Sequence, residues 1–120
     1  MGKLPIKGAC HCGAVRFSVN TTPEFLTECN CSICRRYATQ WVYSPENDIT
    51  LHAPAGTTLA YIWGDEELEF HSCNTCGCTT HWASREGPQF AVNMRLCDPG
   101  AVQDIPTRHF DGADSWDYLD

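Results

Sequence analysis

The sequence predicts a single, mainly β domain made of small antiparallel sheets with little helix. Apolar residues alternate with polar ones, segments rich in β-branched and aromatic residues recur, and turn-forming residues separate most of these segments. With 120 residues, of which 42% are hydrophobic, the chain has enough apolar material for one core but not for two. We therefore expect residues 1–120 to form one domain.

The strands follow from periodicity and composition. Val15, Phe17 and Val19 alternate with Arg16 and Ser18, as expected of a half-buried strand. Six further segments have strand composition: Gln40–Tyr43, Ile49–His52, Thr57–Trp63, Glu67–Ser72, Thr79–Ala83 and Phe90–Leu96. Turn signals at 44–48, 53–56, 64–65 and 86–88 separate most of them, so the sheets should be mainly antiparallel.

Helix signals are scarce. Ser32–Thr39 is predicted to form a short helical turn. Asp98 followed by Pro99 has the pattern of an N-cap with proline at the first helical position. Neither segment is long enough to organise the domain.

Composition excludes several functions. A net charge of -7 with eight Lys and Arg residues argues against a nucleic-acid partner, because neutralising phosphates takes clustered cations. A nucleic-acid-binding zinc ribbon is therefore disfavoured. No segment approaches the ~20 apolar residues that cross a bilayer, and residues 1–10 lack the apolar core of a signal peptide. We expect a cytoplasmic protein that does not bind membranes.

The nine cysteines indicate metal binding. Disulfides are the alternative, but the count is odd, thiols in Cys-x-Cys rarely bridge well, and a reducing cytosol opposes such bonds. Cys10-His11-Cys12-Gly13 and Cys73-Asn74-Thr75-Cys76-Gly77 each place two close thiols before a glycine, which permits positive φ in a turn folded around a metal. Together Cys10, Cys12, Cys73 and Cys76 can supply a tetrahedral structural zinc site.

Cys29, Cys31 and Cys34 place three more thiols within six residues. Three protein ligands and one vacant position distinguish a catalytic zinc site from a structural one. In the alternative, Cys78, Cys97, His71 or His81 closes this second site and makes it structural as well. The tryptophans Trp41, Trp63, Trp82 and Trp116 are expected in the core or in a pocket wall.

Residues 8–17, 29–36 and 73–77 resemble the glutathione-dependent formaldehyde-activating enzyme family in motif order and spacing, and residues 108–112 are similar to its C-terminal part. The resemblance covers about Gly8 to Leu96. It implies a β-tent fold and two zinc ions per chain. By resemblance, Cys10, Cys12, Cys73 and Cys76 hold the structural zinc, and Cys29, Cys31 and Cys34 hold the catalytic one. The pattern requires neither Cys78 nor Cys97.

The resemblance also implies a carbon–sulfur lyase that joins glutathione, as co-substrate, to formaldehyde as S-hydroxymethylglutathione, or that acts on a related thiol adduct. Three thiolates on Zn²⁺ leave a net negative charge and glutathione carries carboxylates, so nearby cations are needed. Arg35 and Arg36 are the first candidates for glutathione contacts, and a solvated turn or a salt bridge to Glu28 is their alternative role. The alternative function is a non-catalytic zinc module that binds glutathione or a protein partner.

Overall fold

The computed structural model describes residues 4–120, and residues 1–3 of the predicted domain lie outside the described residues. The described chain is built mostly of short strands. In chain order its elements are β1 (Ile6–Ala9), β2 (Arg16–Val19), β3 (Leu26–Cys29), α1 (Ser32–Tyr37), β4 (Trp41–Ser44), β5 (Ile49–His52), β6 (Thr58–Tyr61), β7 (Leu68–Cys73), β8 (Thr79–Ser84), β9 (Phe90–Asn93), a 3-10 helix (Met94–Leu96), α2 (Pro99–Val102) and β10 (Thr107–Phe110).

The strands form two sheets. β1, β2 and β5 make a three-stranded sheet, and a seven-stranded sheet has the order β10-β3-β4-β9-β8-β7-β6. The pairings are antiparallel except that of β10 with β3, which is parallel and sets Phe110 opposite Cys29. The predicted mainly β fold is therefore confirmed, with one parallel pair added at the edge of the larger sheet.

The main core lies between the two sheets. Phe17 and Val19 of β2 are buried in one apolar cluster with Leu26, Val42 and Val92 of the larger sheet. Arg16, between the apolar positions of β2, is exposed. The alternation that predicted this strand thus separates its core face from its solvent face.

Both α-helices begin after an N-capping residue, of which Asp98 was predicted and Cys31 was not. Cys31 is the N-cap of α1, and its sulfur accepts a hydrogen bond from the Cys34 N–H. The Asp98 carboxylate accepts a hydrogen bond from the Gly100 N–H at 2.9 Å, and Pro99 is the first residue of α2. In the described part of the chain, no helix has the length and apolar character needed to cross a membrane.

Two parts of the secondary structure differ from expectation. The predicted strand Phe90–Leu96 ends at Asn93, because the Asn93 side chain accepts the Arg95 N–H at 3.2 Å and caps the 3-10 helix. β1, β3 and β10 were not predicted from the sequence. Each has four residues, too few to show a clear period of two.

Gly8 marks the closest approach of backbone to side chain in the smaller sheet. It lies opposite Phe17 in the β1–β2 pair, and a Cβ built on Gly8 would overlap the Phe17 ring. That ring is 4% exposed, so it has little room to move. A Cβ on Gly87 would meet only side-chain atoms, the flexible end of Gln89 and the Ser84 hydroxyl.

We expect Gly8→Ala to lower the free energy of unfolding by about 2–3 kcal/mol, because the added methyl group overpacks a buried ring. The matched change Gly87→Ala should alter it by less than about 0.5 kcal/mol. Urea denaturation of the two zinc-loaded variants measures both values. Equal losses in the two variants would contradict the packing argument.

Candidate metal centres

Four cysteines from distant parts of the chain converge in the fold. Cys10 follows β1 and Cys73 ends β7. The sulfurs of Cys10, Cys12, Cys73 and Cys76 all lie within 4.8 Å of one another, with 3.5 Å between Cys12 and Cys73 and 3.7 Å between Cys10 and Cys12. The structure thus brings together the four cysteines that the sequence pairs, and we call this group the four-cysteine cluster.

Both halves of the four-cysteine cluster are tight backbone turns. The Gly13 N–H donates to the Cys10 carbonyl, and the Gly77 N–H to the Cys73 carbonyl, each at 2.9 Å. Gly13 has a φ of 81° and Gly77 a φ of 79°, as predicted. In this left-handed region a side chain would strain the backbone, so glycine lets each turn close around the sulfurs.

The four-cysteine cluster fits zinc. A Zn–S bond of ~2.3 Å implies about 3.8 Å between sulfurs of a tetrahedral site, close to the observed separations. Backbone N–H groups of Cys78 and Cys12 lower the pKa of Cys76 to about 5, and those of Cys76 and Thr75 lower the pKa of Cys73. The Ala14 N–H also lowers the pKa of Cys12. The neighbouring sulfurs, of which Cys73 has the largest effect, act together with burial in the opposite direction and raise that pKa to about 12. Most of these contacts favour the thiolates that a metal requires.

A second group, the three-cysteine cluster, lies where β3 leads into α1. The sulfurs of Cys29, Cys31 and Cys34 lie within 4.8 Å of one another. The Cys31 N–H donates to the Cys29 sulfur at 3.5 Å, and the Cys34 N–H donates to the Cys31 sulfur at 3.3 Å. The turn itself therefore gathers the three thiols on one side of the chain.

No fourth Cys, His, Asp or Glu among residues 4–120 joins the three-cysteine cluster. Cys78 packs beside the four-cysteine cluster, and Cys97 is buried in the core between the sheets, where burial raises its pKa to about 12. His71 and His81 stack on each other with ring centroids 4.4 Å apart. Burial, assisted by His71, lowers the pKa of His81 to about 4. The four residues considered as a fourth ligand of the three-cysteine cluster therefore lie in other parts of the structure.

The three thiols interact strongly with one another. The neighbouring Cys34 side chain lowers the pKa of Cys29 to about 6, against the effect of burial. The same contact, together with burial, raises the pKa of Cys34. Among residues 4–120 the buried indole N–H of Trp41 has no hydrogen-bond partner, and it lies close enough to Cys34 to lower the pKa of that thiol somewhat. A thiolate at Cys34 would accept this donor better than a thiol, so the surroundings fit a bound metal.

The C-terminal segment closes against the three-cysteine cluster. The parallel β3–β10 pair directs the chain after Phe110 back towards Cys29. The Asn30 side chain donates to the Asp111 carboxylate at 2.9 Å, and a Cβ on Gly112 would lie 2.6 Å from the Cys29 sulfur. Gly112 is a site residue that sequence reasoning missed, because only tertiary pairing brings it near Cys29.

A large cavity opens beside the three-cysteine cluster. Its volume is about 630 Å³, and all three cysteines line it. The four tryptophans of the chain also line it, as do Tyr43, Phe70, Phe110 and Tyr118. Trp41 is 1% exposed and belongs to the core as well, whereas Trp63 and Trp116 are 42% and 72% exposed. We call this space the aromatic cavity.

A smaller cavity of about 400 Å³ lies on another side of the three-cysteine cluster, and Cys29 and Cys34 line it too. Arg35, Arg95 and His109 contribute basic groups to its wall, and Glu28 contributes a carboxylate. We call it the basic cavity. Arg36 lines neither cavity, and its guanidinium donates to the Ser32 carbonyl at 2.7 Å. The two predicted arginines therefore occupy different surroundings.

We expect Gly112→Ala to weaken metal binding at the three-cysteine cluster by at least tenfold, because the added methyl group displaces the Cys29 sulfur. Metal at the four-cysteine cluster should be unaffected. Chelator competition combined with native mass spectrometry measures the metal affinity of both cysteine clusters. Gly100→Ala is the control, because its Cβ would meet only Asp98 at an ordinary 3.4 Å. Two metals held with unchanged affinity in Gly112→Ala would contradict this expectation.

The chain matches a protein-family model, a curated relative and a solved structure. The family model described as glutathione-dependent formaldehyde-activating enzyme matches residues 5–110. A protein of Halomonas elongata named for that same activity is 35% identical over 85 residues, which cover 67% of this chain and 50% of the relative. The chain thus spans about half the length of this relative. The crystal structure of a Rhodobacter sphaeroides protein superposes with a TM-score of 0.65 at 29% identity, covering 85% of this chain and 99% of that one.

Proposed function

Because the chain belongs to the glutathione-dependent formaldehyde-activating enzyme family, we propose that it catalyses the addition of the glutathione thiol to formaldehyde, which forms S-hydroxymethylglutathione. One observation carries the proposal. The sulfurs of Cys29, Cys31 and Cys34 converge where two cavities of different chemistry meet. A thiol that enters from one cavity and a carbonyl compound that enters from the other would meet at these sulfurs.

We infer two metal sites per chain and assign zinc to both, because thiolate ligands favour it. Cys10, Cys12, Cys73 and Cys76 would hold a structural ion. Cys29, Cys31 and Cys34 would hold an ion with a vacant position. When bound there, zinc supplies positive charge that keeps an incoming thiol ionised at neutral pH.

The reaction balances without an oxidant or reductant. The sulfur of glutathione bonds to the carbonyl carbon, the thiol S–H bond breaks, and the proton ends on the former carbonyl oxygen. A thiol of pKa ~8.5 is only about 3% ionised at neutral pH, so complete ionisation raises the concentration of the thiolate nucleophile about thirtyfold. The side chains of the cavity walls would add the effect of holding both reactants at the right distance.

The basic cavity is the better place for the carboxylates of glutathione. Arg95 lies 3.7 Å from Glu28, and Asp120 accepts a hydrogen bond from His109 at 2.7 Å, which raises the pKa of that histidine. Arg35 takes part in none of the ion pairs formed by residues 4–120. The Thr39 hydroxyl, in the same wall, is buried without a hydrogen-bond partner in the described chain. Arg35 and Thr39 together offer an available cation and an available donor to a carboxylate.

Arg36 remains a weaker proposal for this role. Its position beside Arg35 would let it approach a peptide that extends out of the basic cavity. It would first have to give up its hydrogen bond to the Ser32 carbonyl. The alternative salt bridge of these arginines to Glu28 is made by Arg95 instead.

The decisive test compares Cys31→Ser with the unmodified protein. We expect the zinc count from native mass spectrometry to fall from two to one. The enzyme-catalysed exchange between formaldehyde and its glutathione adduct, followed by two-dimensional exchange NMR, should fall at least about thirtyfold, the factor that thiol ionisation contributes. Thermal stability should change little.

The matched change Cys12→Ser should instead reduce thermal stability strongly, because it breaks the four-cysteine cluster. Full exchange activity in Cys31→Ser would refute the proposal. Two zinc ions and bound glutathione with no acceleration over the spontaneous reaction would indicate the non-catalytic zinc module.

We expect Arg35→Gln to raise KM for glutathione by about tenfold with little change in kcat, because it removes a charge-assisted contact remote from the reacting sulfur. The effect should shrink at high salt, since Arg35 is exposed. Arg16→Gln, on the exposed face of β2, is the matched control and should leave both constants unchanged. An equal change of KM in the two variants would argue against a glutathione contact at Arg35.

A further inference from the structure

We propose that the aromatic cavity binds an apolar aromatic aldehyde, and that such an aldehyde is a better carbonyl substrate for this site than formaldehyde. The inference rests on the proposed thiol addition at the three-cysteine cluster. It specifies which class of carbonyl compound would enter from the aromatic cavity. Size, wall chemistry, charge and position each support it.

The aromatic cavity is far larger than formaldehyde needs. Its volume is about 630 Å³. Formaldehyde has two heavy atoms, and a water molecule occupies ~30 Å³ in the liquid, so formaldehyde fills roughly 60 Å³. Sites for organic ligands of moderate size run from about 300 to 1,000 Å³. A single ring with a carbonyl substituent fits this space and leaves room for the thiol at the wall.

The walls present aromatic faces and edges. Tyr43 and Trp82 have centroids 6.0 Å apart, and Phe110 and Trp116 meet edge to face at 5.2 Å. A further aromatic ring gains from both offset and edge contacts, besides the apolar area it buries. Trp63 and Trp116 stay partly exposed at this cavity. A bound ring would cover apolar surface that otherwise faces water.

Charge separates the aromatic cavity from the basic cavity. Glu46, Asp65 and Glu67 line it, and no Lys, Arg or His among the described residues does. An anionic ligand would therefore face carboxylates without a counter-charge. This disfavours glutathione in the aromatic cavity and favours a neutral ligand there.

The reactive end of such a ligand would lie next to the sulfurs. Cys29 and Cys34 line both cavities. A ring held among the tryptophans would place its carbonyl carbon near a thiol that enters from the basic cavity. The C–S bond forms at that carbon, the carbonyl π bond opens, and the thiol proton ends on the oxygen, which gives a thiohemiacetal.

Binding can be read from the protein itself, because all four tryptophans line this one cavity. We expect benzaldehyde to quench tryptophan fluorescence saturably in the zinc-loaded protein. Trp63→Ala should raise the dissociation constant about fivefold, the value of one aromatic contact. Tyr61→Ala is the matched control, since Tyr61 is an exposed aromatic residue of β6 outside the cavity wall, and it should change binding less than twofold.

Charge selectivity has its own test. 4-Formylbenzoate carries the same ring and aldehyde with an added carboxylate, and it should bind about fivefold more weakly than benzaldehyde. Glu46→Gln should reduce the difference between the dissociation constants of the two aldehydes. Glu24→Gln, which also replaces an exposed glutamate directly after a proline, should leave it unchanged. Equal binding of the two aldehydes by the unmodified protein would refute the charge argument.

Exchange NMR with glutathione separates this inference from the proposed function. The inference is supported if the protein accelerates glutathione exchange more with benzaldehyde than with formaldehyde. The acceleration with benzaldehyde should fall in Trp63→Ala and stay unchanged in Tyr61→Ala. Acceleration with formaldehyde alone would overturn it and leave the proposed function intact. Acceleration with benzaldehyde alone would support it and overturn formaldehyde as the substrate. The inference is overturned if benzaldehyde does not quench tryptophan fluorescence saturably. It is also overturned if benzaldehyde binds saturably but the protein does not accelerate its exchange with glutathione.

Discussion

The rest of the structure depends on the convergence of Cys10 and Cys12 with Cys73 and Cys76. The first pair follows β1 of the smaller sheet, and the second lies at the turn between β7 and β8 of the larger one. A zinc ion shared by the two pairs would fix the sheets to each other at that end. The same β7–β8 hairpin pairs Phe70 with Trp82, and both line the aromatic cavity. Such a cross-link would therefore also position one wall of the candidate active site.

The two cysteine clusters have similar chemistry but different surroundings. In the four-cysteine cluster, two glycine turns together bring four sulfurs within 4.8 Å of one another. In the three-cysteine cluster, the turn between β3 and α1 supplies three sulfurs, and two cavities open beside them. One open side is aromatic with acidic residues, and the other carries arginine and histidine. Under the proposed function, this asymmetry would give the two reactants separate routes to the same sulfurs.

Local features were predictable from the sequence, and long-range features were not. The glycine turns at Gly13 and Gly77, the cap at Asp98 and the gathering of Cys29, Cys31 and Cys34 follow from interactions within a few residues. β3 and β10 have four residues each, and their pairing joins Leu26 to Thr107. No local pattern encodes that partner. The proximity of Gly112 to Cys29 and the grouping of the tryptophans are consequences of the same pairing and of sheet order, so they became visible only in three dimensions.

The parallel β3–β10 pair also has a consequence for biosynthesis. A ribosome delivers the chain from the N-terminus, so all four residues of the four-cysteine cluster are available once Cys76 has emerged. Cys29, Cys31 and Cys34 emerge earlier still, but Phe110, Gly112, Trp116 and Tyr118, which wall their cavity, emerge much later. During translation these three thiols are therefore gathered yet unshielded. The nascent chain could therefore bind a metal at the four-cysteine cluster before the aromatic cavity is complete.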